Sequence, residues 1–423
     1  MNEPKEAETP KSFAALRHPG ARMYLIGAML AMMADSIEHV ISYWIIYEKF
    51  QSPALGGFAV ISHWVPFLLF SVQAGALADR VDPRRVIQAG MVLFMIASLG
   101  WGALFLTDSL EMWHAVVLLV IHGAAGVLWS PAAQLLVHDM VGGRQLQSAI
   151  RLMATFRTLG LLAGPAVGGG LLLAFGPANG ILINVLIYLP LTLWLWKAPY
   201  GPKFSGNRPA AARRAGGLAD MAATLRRIAG NTTIISMTLL AGAAALMIGS
   251  GYQAQMPEFA TDLGSGDGGI RYAMLFAANA AGAVTAGLLL ESRGLLPARL
   301  RTAFVLAMLW CAALGGFAAS TSYVLALVLL FAAGFVDLAF NSMSRALVQL
   351  NAPAEMRGRI IGLYNTLSLG FRTFSGFTIG IGGGLIGIHW SLGLSALGLL
   401  VLVLALFFWF LRRGLGDGAT PAE

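Results

Sequence analysis

The sequence predicts an all-α membrane protein, built as twelve transmembrane helices in two pseudo-symmetric six-helix bundles. Three observations predict it. Of 423 residues, 57% are hydrophobic and only 11% are charged, far too little charge to cover a soluble protein of this length. The apolar residues gather in runs of about 20 or more, the length needed to span a bilayer core as helix. The chain also echoes itself at about half its length: Gly75-Ala76-Leu77-Ala78-Asp79-Arg80 returns in degenerate form as Gly287-Leu288-Leu289-Leu290-Glu291, followed by Arg293.

The apolar runs fall at 22–48, 54–78, 86–107, 112–138, 148–174 and 178–198 in the first half. Those of the second half fall at 230–256, 268–290, 300–319, 323–350, 358–385 and 389–411. They are too long, and alternate too little, for barrel strands. The expected organisation is a polar tail 1–21, a bundle 22–198, a basic linker 199–229, a bundle 230–411 and a tail 412–423. The first run carries Asp35 and Glu38 and exceeds a signal-peptide core, so it is expected to stay as a helix. Within the linker, Leu218 to Ile228 is expected either as an amphipathic surface helix or as plain basic chain.

Charge sets the orientation. Lys49 and Arg271 are almost alone in the loops on one side. Arg80, Arg84, Arg85, Arg144, the linker, Arg293, Arg299, Arg301, Arg357, Arg359, Arg412 and Arg413 crowd the other. The positive-inside rule makes that side, with both termini, cytoplasmic. The net charge of +8 thus belongs to topology, and no nucleic-acid partner is expected.

Several side chains stand out against the apolar background. In the first helix Asp35, Glu38, His39 and Ser42 share one face. Asp35 lies near mid-depth, where a charge costs about 2.5–3.5 kcal/mol or more unless it faces a cavity or partner. Two carboxylates and an imidazole on one turn suit proton coupling, substrate binding or both. In the tenth helix Asp337, Asn341 and Arg345 form a second stripe with Ser344 beside it, and the eleventh adds Asn365, Ser368, Arg372 and Ser375. Asp337 and Arg372 are expected to pair across the bundle. Arg157 and Arg372 each begin a glycine stripe, and the face of Gly160, Gly164, Pro165 and Gly168 is expected to meet Ala278, Gly282 and Ala286 at a seam between helices five and eight. His63, His122 and His138 look isolated and are expected as hydrogen-bonded core histidines.

At this point the motifs carry a resemblance. Gly75–Arg80 with Arg84 and Arg85 resembles the loop 2–3 signature of the major facilitator superfamily, with Asp82-Pro83 standing where a second glycine is usual. Gly160-Leu161-Leu162-Ala163-Gly164-Pro165-Ala166-Val167-Gly168-Gly169 resembles that superfamily's fifth-helix motif, which implies an exporting antiporter. Ala352-Pro353-Ala354-Glu355-Met356-Arg357-Gly358-Arg359 is similar to the loop 10–11 segment of the bacterial branch that includes the enterobactin exporter and macrolide efflux proteins. The resemblance implies that Gly75, Asp79, Arg80, Arg84 and Arg85, with Glu291 and Arg293 as the weaker counterpart, gate the cytoplasmic side, Asp79 latching the halves.

The expected function is proton-coupled export of small amphiphilic molecules, drug- or siderophore-like, by a monomer in the bacterial inner membrane. Uptake, lipid flipping or sensing on the same scaffold are the alternatives. Walker A, His-Glu-x-x-His and Gly-x-Ser-x-Gly sequences are lacking, so ATP drive, hydrolytic chemistry, cofactors and metals are not expected.

Overall fold

The computed structural model describes residues 14–201, 224–264, 268–293, 299–353 and 357–412, and among them every regular element is a helix. Most of the linker, both tails and the loop residues Ala354, Glu355 and Met356 lie outside the described residues. Among the described residues ten helices are long and apolar enough to cross a membrane. The first are α1 (Pro19–Phe50), α2 (Pro53–Arg80) and α3 (Pro83–Leu106). Their starts follow from local chemistry. Ser52 and Asp82 cap α2 and α3, each accepting a backbone N–H, and proline follows each cap, where its missing N–H is harmless. Asp82-Pro83 is thus a helix-start device.

Next comes a continuous helical stretch, Met112–Lys197, of 86 residues. Drawn straight it would run about 130 Å, several times the roughly 30 Å of a hydrocarbon core. It comprises α4 (Met112–Val141) and the 46-residue Leu152–Lys197. The latter folds back at Gly176, whose φ of +74° suits glycine, giving α5 (152–175) and α6 (177–197). The fold-back lets both arms pack on α1: Gly160 of α5 lies against the Met29 and Met32 region, and Asn184 of α6 donates to the Ala34 carbonyl at 2.9 Å.

The second half supplies α7 (Thr232–Ala254), α8 (Gly268–Arg293), α9 (Leu300–Ala319), α10 (Tyr323–Asn351), α11 (357–386) and α12 (Ile388–Arg412). α7 breaks at Gly249, φ +43°. α11 alternates α-turns with two π-helical turns, Thr366–Gly370 and Gly376–Ile381, a distortion found often at functional sites. With the 152–197 stretch counted as two crossings and α11 as one, the number of crossings reaches twelve.

The two halves repeat their close contacts. α5 packs on α1 through Gly164 against Ser36 and Gly168 against Ile37; in the other half α11 packs on α7 through Ser375 against Gly249 and Gly251. α4 meets α2 at Gly123 against the Ser62 carbonyl; α8 and α10 cross at Gly282 against Phe331 and Gly334 against Asn279. These glycines let helix backbones touch, so packing replaces the hydrophobic drive that lipid does not supply. Helices five and eight do meet between the halves, at Gly169 and Ala273, but the expected faces are corrected. Gly160, Gly164 and Gly168 face α1, and Gly282 faces α10, each inside its own half.

The seam lies one face over. α2 meets α11 where Gly57 touches Gly376 and Gly380, and α5 meets α8 where Gly169 touches Ala273. Hydrogen bonds cross at the same end: Tyr272 Oη donates to the Val40 carbonyl at 2.5 Å, and Gln255 Nε2 to the Pro53 carbonyl at 2.9 Å. These contacts close the end of the molecule remote from the helix termini at Pro19 and Arg412. They run to mid-depth, where Leu68 meets Gly370.

Candidate functional site

The most polar part of the first half is a cluster at mid-depth among α1, α2, α3 and α4. Asp35 and Glu38 are buried on α1, Glu38 with only 1% exposure. A carboxylate so buried needs partners, and neighbouring helices supply them. Ser98 of α3 donates to Glu38 Oε2 at 2.6 Å. His122 of α4 stands between the acids, with Nδ1 2.8 Å from Glu38 Oε1 and Nε2 3.0 Å from Asp35 Oδ1. The second contact puts the Asp35 carboxylate within ion-pair range of the imidazole.

His39 turns back along its own helix, and its Nδ1 lies 2.8 Å from the Asp35 carbonyl. Its ring stands edge-on to both His63 and His122, with centroids 4.7 Å away in each case. His63 and His122 are therefore not the isolated core histidines expected. Both belong to the cluster. At about 1.5 Å per residue each lies about 15 Å from the start of its helix, level with the acids of α1. That matching depth was the signal in the sequence; Ser98 carried none. Ser42 spends its hydroxyl on the His39 carbonyl at 3.3 Å. The His138 side chain lies outside the described residues.

A cavity of about 100 Å³ reaches this cluster. Asp35 and His63 line it at one end and Tyr24 toward the termini, with Trp64, Trp129 and Arg157 along its wall. It is smaller than the roughly 300–1,000 Å³ of pockets that enclose organic ligands. Water or an ion fits it in this conformation.

The second half has a sparser polar set. The Asn341 side chain donates to the Asp337 carboxylate at 2.8 Å, so the α10 stripe is tied together. Arg372 donates to Ser250 Oγ at 3.2 Å, beside the break in α7, and its guanidinium lies 5.3 Å from the Trp64 ring centre. That last contact crosses between halves. The expected Asp337–Arg372 pair is not a direct one: among the described residues no ion pair within 4.0 Å joins them, although Arg372 acts on Asp337 through space. Tyr364 donates to Ser344 at 3.2 Å, and Arg345 is exposed beside them. Arg157, Arg345 and Arg372 act on one another electrostatically, which gathers three positive charges around the central space.

The gating residues divide. Arg84 is buried and held within the first half, its guanidinium on Asp82 and its Nη1 on the Ala198 carbonyl at 2.5 Å. Burial alone would raise the Asp82 carboxyl, but its hydrogen bonds with Arg84 hold it below the ordinary carboxylate value. Arg85 donates to Gln88 at 3.0 Å and lies 5.9 Å from the Trp196 ring centre. Arg80 is exposed. The side chains of Gly75, Asp79, Glu291 and Arg293 lie outside the described residues.

With this architecture in view, comparison with known proteins decides the family. The profile described as Major Facilitator Superfamily matches residues 24–375. The chain belongs to the major facilitator superfamily. Among curated relatives, a Cronobacter sakazakii protein named for multidrug resistance, MdtD, is 30% identical over 149 residues, covering 34% of this chain and 30% of that protein. MdtD of Salmonella typhi is 29% identical over 119 residues, covering 28% and 24%. The chain thus matches less than a third of the length of these relatives. Among solved structures, the inward-facing, unoccupied bacterial homologue of the human lysosomal transporter Spinster superposes with TM-score 0.70 at 17% identity, over 97% of this chain and 100% of that one. The nucleoside transporter NupG gives 0.66 at 14%, over 93% and 99%. A D-xylose–proton symporter gives 0.61 at 16%, over 94% and 98%. At these identities the likeness is one of fold. As a member of this superfamily the chain is a multi-pass membrane protein.

Proposed function

We propose that this protein is a proton-coupled exporter of small amphiphilic molecules in the bacterial inner membrane, working as a monomer with both termini in the cytoplasm. One observation carries the reading: two repeated halves, shut against each other at the end remote from the termini, surround charged side chains at mid-depth. Buried acids and bases away from the packing core of a membrane bundle mark transport pathways. The curated relatives named for multidrug resistance favour the export direction. Under the orientation given by the positive loops, the closed end is external and this is an inward-facing form.

In this scheme Asp35 and Glu38, with His39, His63 and His122 against them, hold and release the coupled proton, while Arg157 faces them from across the cavity. Asp337, Asn341, Arg345 and Arg372 line the other wall, where an amphiphile meets charge beside Trp64. Alternation opens the Gly57–Gly380 seam and closes the end near the termini, where Asp79 latches the halves.

The test uses inverted vesicles with drug-like dyes added outside and a pH gradient imposed, acid inside. Wild type is expected to accumulate dye with the gradient. Asp35→Asn and Glu38→Gln should lose gradient-dependent flux, and Asp79→Asn should lose flux while inserting normally. Gradient-dependent flux that survives both acid substitutions refutes the coupling assignment. Redistribution of labelled lipid without solute flux refutes export in favour of lipid flipping.

A further inference from the structure

We infer that Asp35, His39, His63 and His122 form a binding site for a divalent transition-metal ion of the zinc class. Metal ligation was not expected from the sequence, which spreads these residues over three helices. Folding brings them together. Each offers one donor atom, and the four donor atoms lie within 4.8 Å of one another. Donors around a tetrahedral zinc ion, with bonds of about 2.0–2.1 Å, are about 3.3 Å apart. Asp35 Oδ1 and His122 Nε2 are already at 3.0 Å.

The outer contacts are those a metal site needs. A ligating imidazole turns one nitrogen to the metal and gives the other N–H to a carboxylate or a backbone carbonyl, which fixes tautomer and ring orientation. His122 has Nδ1 on Glu38 Oε1, leaving Nε2 toward Asp35. His39 has Nδ1 on the Asp35 carbonyl, leaving Nε2 available. Ser98 in turn holds Glu38. A core histidine pair would need one such arrangement at most.

A further observation points to a ligand. His63 is 9% exposed, and its Nδ1 has no hydrogen-bond partner among the described residues. Asp35 Oδ1 and His122 Nε2 face each other at 3.0 Å, whereas His63 Nδ1 is left unsatisfied, and such a buried atom is costly without a bound partner. The cavity beside Asp35 and His63 gives entry, and its about 100 Å³ suits an ion with water.

Charge and donor type decide the class. Asp35 and Glu38 bring two negative charges, which attract a cation. Arg157 lines the same cavity and opposes a cation, but the two carboxylates outnumber it. Three imidazoles and one carboxylate suit zinc, nickel, copper or ferrous iron; magnesium and calcium prefer all-oxygen sites. The inference concerns equilibrium binding and stands apart from the export reading: the site binds the ion whether the ion is cargo or a fixed part of the protein.

The experiment takes the full chain in detergent, stripped with a chelator, and titrates zinc chloride by calorimetry while retained metal is measured by mass spectrometry. The expected result is about one zinc ion per chain, bound with a Kd of about 10 μM or tighter, with no displacement by magnesium. Cobalt chloride should give the visible absorption of nitrogen-ligated cobalt. Glu38→Gln should weaken zinc about 10–100-fold by loosening His122. His63→Ala should weaken it at least about tenfold and remove the cobalt band; its Nδ1 has no hydrogen-bond partner among the described residues, and its elution profile is compared with that of wild type as the check on folding. No zinc retained by wild type overturns the inference. So does zinc retained equally by His63→Ala, which would locate the metal elsewhere in the chain.

Discussion

The seam between halves offers the sharpest test of how this molecule moves. Gly57 of α2 faces α11, and a Cβ placed there would sit 2.5 Å from the Gly376 carbonyl oxygen and 2.7 Å from Gly380 Cα. Both are backbone atoms and cannot rotate away. Ordinary contact begins at 3.4 Å, so the helices must part by almost an ångström at Gly57→Ala and further at Gly57→Leu. Overpacking of this kind costs about 1–3 kcal/mol. Under the proposed alternation, which would separate these helices, it falls on the closed seam alone. Each 1.4 kcal/mol is a factor of ten, so the equilibrium should move roughly 5–150-fold away from the form described here.

The assay is built into the same contact. An ideal Cβ on Gly384 lies 3.9 Å from Ala54 Cβ, within disulfide range. With buried Cys311, the only cysteine, changed to alanine, the pair Ala54→Cys and Gly384→Cys should cross-link rapidly under mild oxidant. Adding Gly57→Leu should slow cross-linking by about that same factor and expose both thiols to a maleimide from the closed side. Cross-linking at the unchanged rate in the Gly57→Leu background refutes the argument that this seam must part.

Other predictions follow from single contacts. Glu38→Gln breaks charge-assisted bonds to Ser98 and His122 and should lower unfolding stability in detergent by about 1.5–3 kcal/mol, read as a fall in melting temperature. Arg372→Lys keeps the charge but loses the stacking on Trp64 and the reach to Ser250; a shift of about 0.5–2 kcal/mol in the open–closed balance is expected, read by the same cross-link. Asp82→Ala removes the cap of α3 and should cost about 0.5–2 kcal/mol. Because Arg84 depresses the Asp82 carboxyl, its contribution is present above the unfolded value of about 3.9 and is lost as pH falls through the lower folded value. Stability of wild type and Asp82→Ala should therefore converge below about pH 4, and a constant gap down to strongly acidic pH would contradict this.

Some of this protein was settled by one-dimensional pattern. Apolar run length and scarce charge decided helices, membrane and number of crossings, because a bilayer imposes one length on every span. The half-chain echo gave the repeat. The i, i+3, i+4 spacing placed Asp35, Glu38 and His39 on one face of α1, since that relation is local.

Tertiary structure decided everything that depends on which face meets which neighbour. A small-residue stripe announces close packing but not its partner: Gly164 and Gly168 met α1, while Gly57, Gly376 and Gly380 made the seam. Arg84 turned inward to Ala198, a residue far away in sequence. Asp337 and Arg372 share a depth yet reach different partners. His63 and His122 look solitary on their own helices. Only the antiparallel return of α2 and α4 past α1 brings them to Asp35 and Glu38, because the angle of a helix about its own axis is set by its neighbours and is not written in its own sequence.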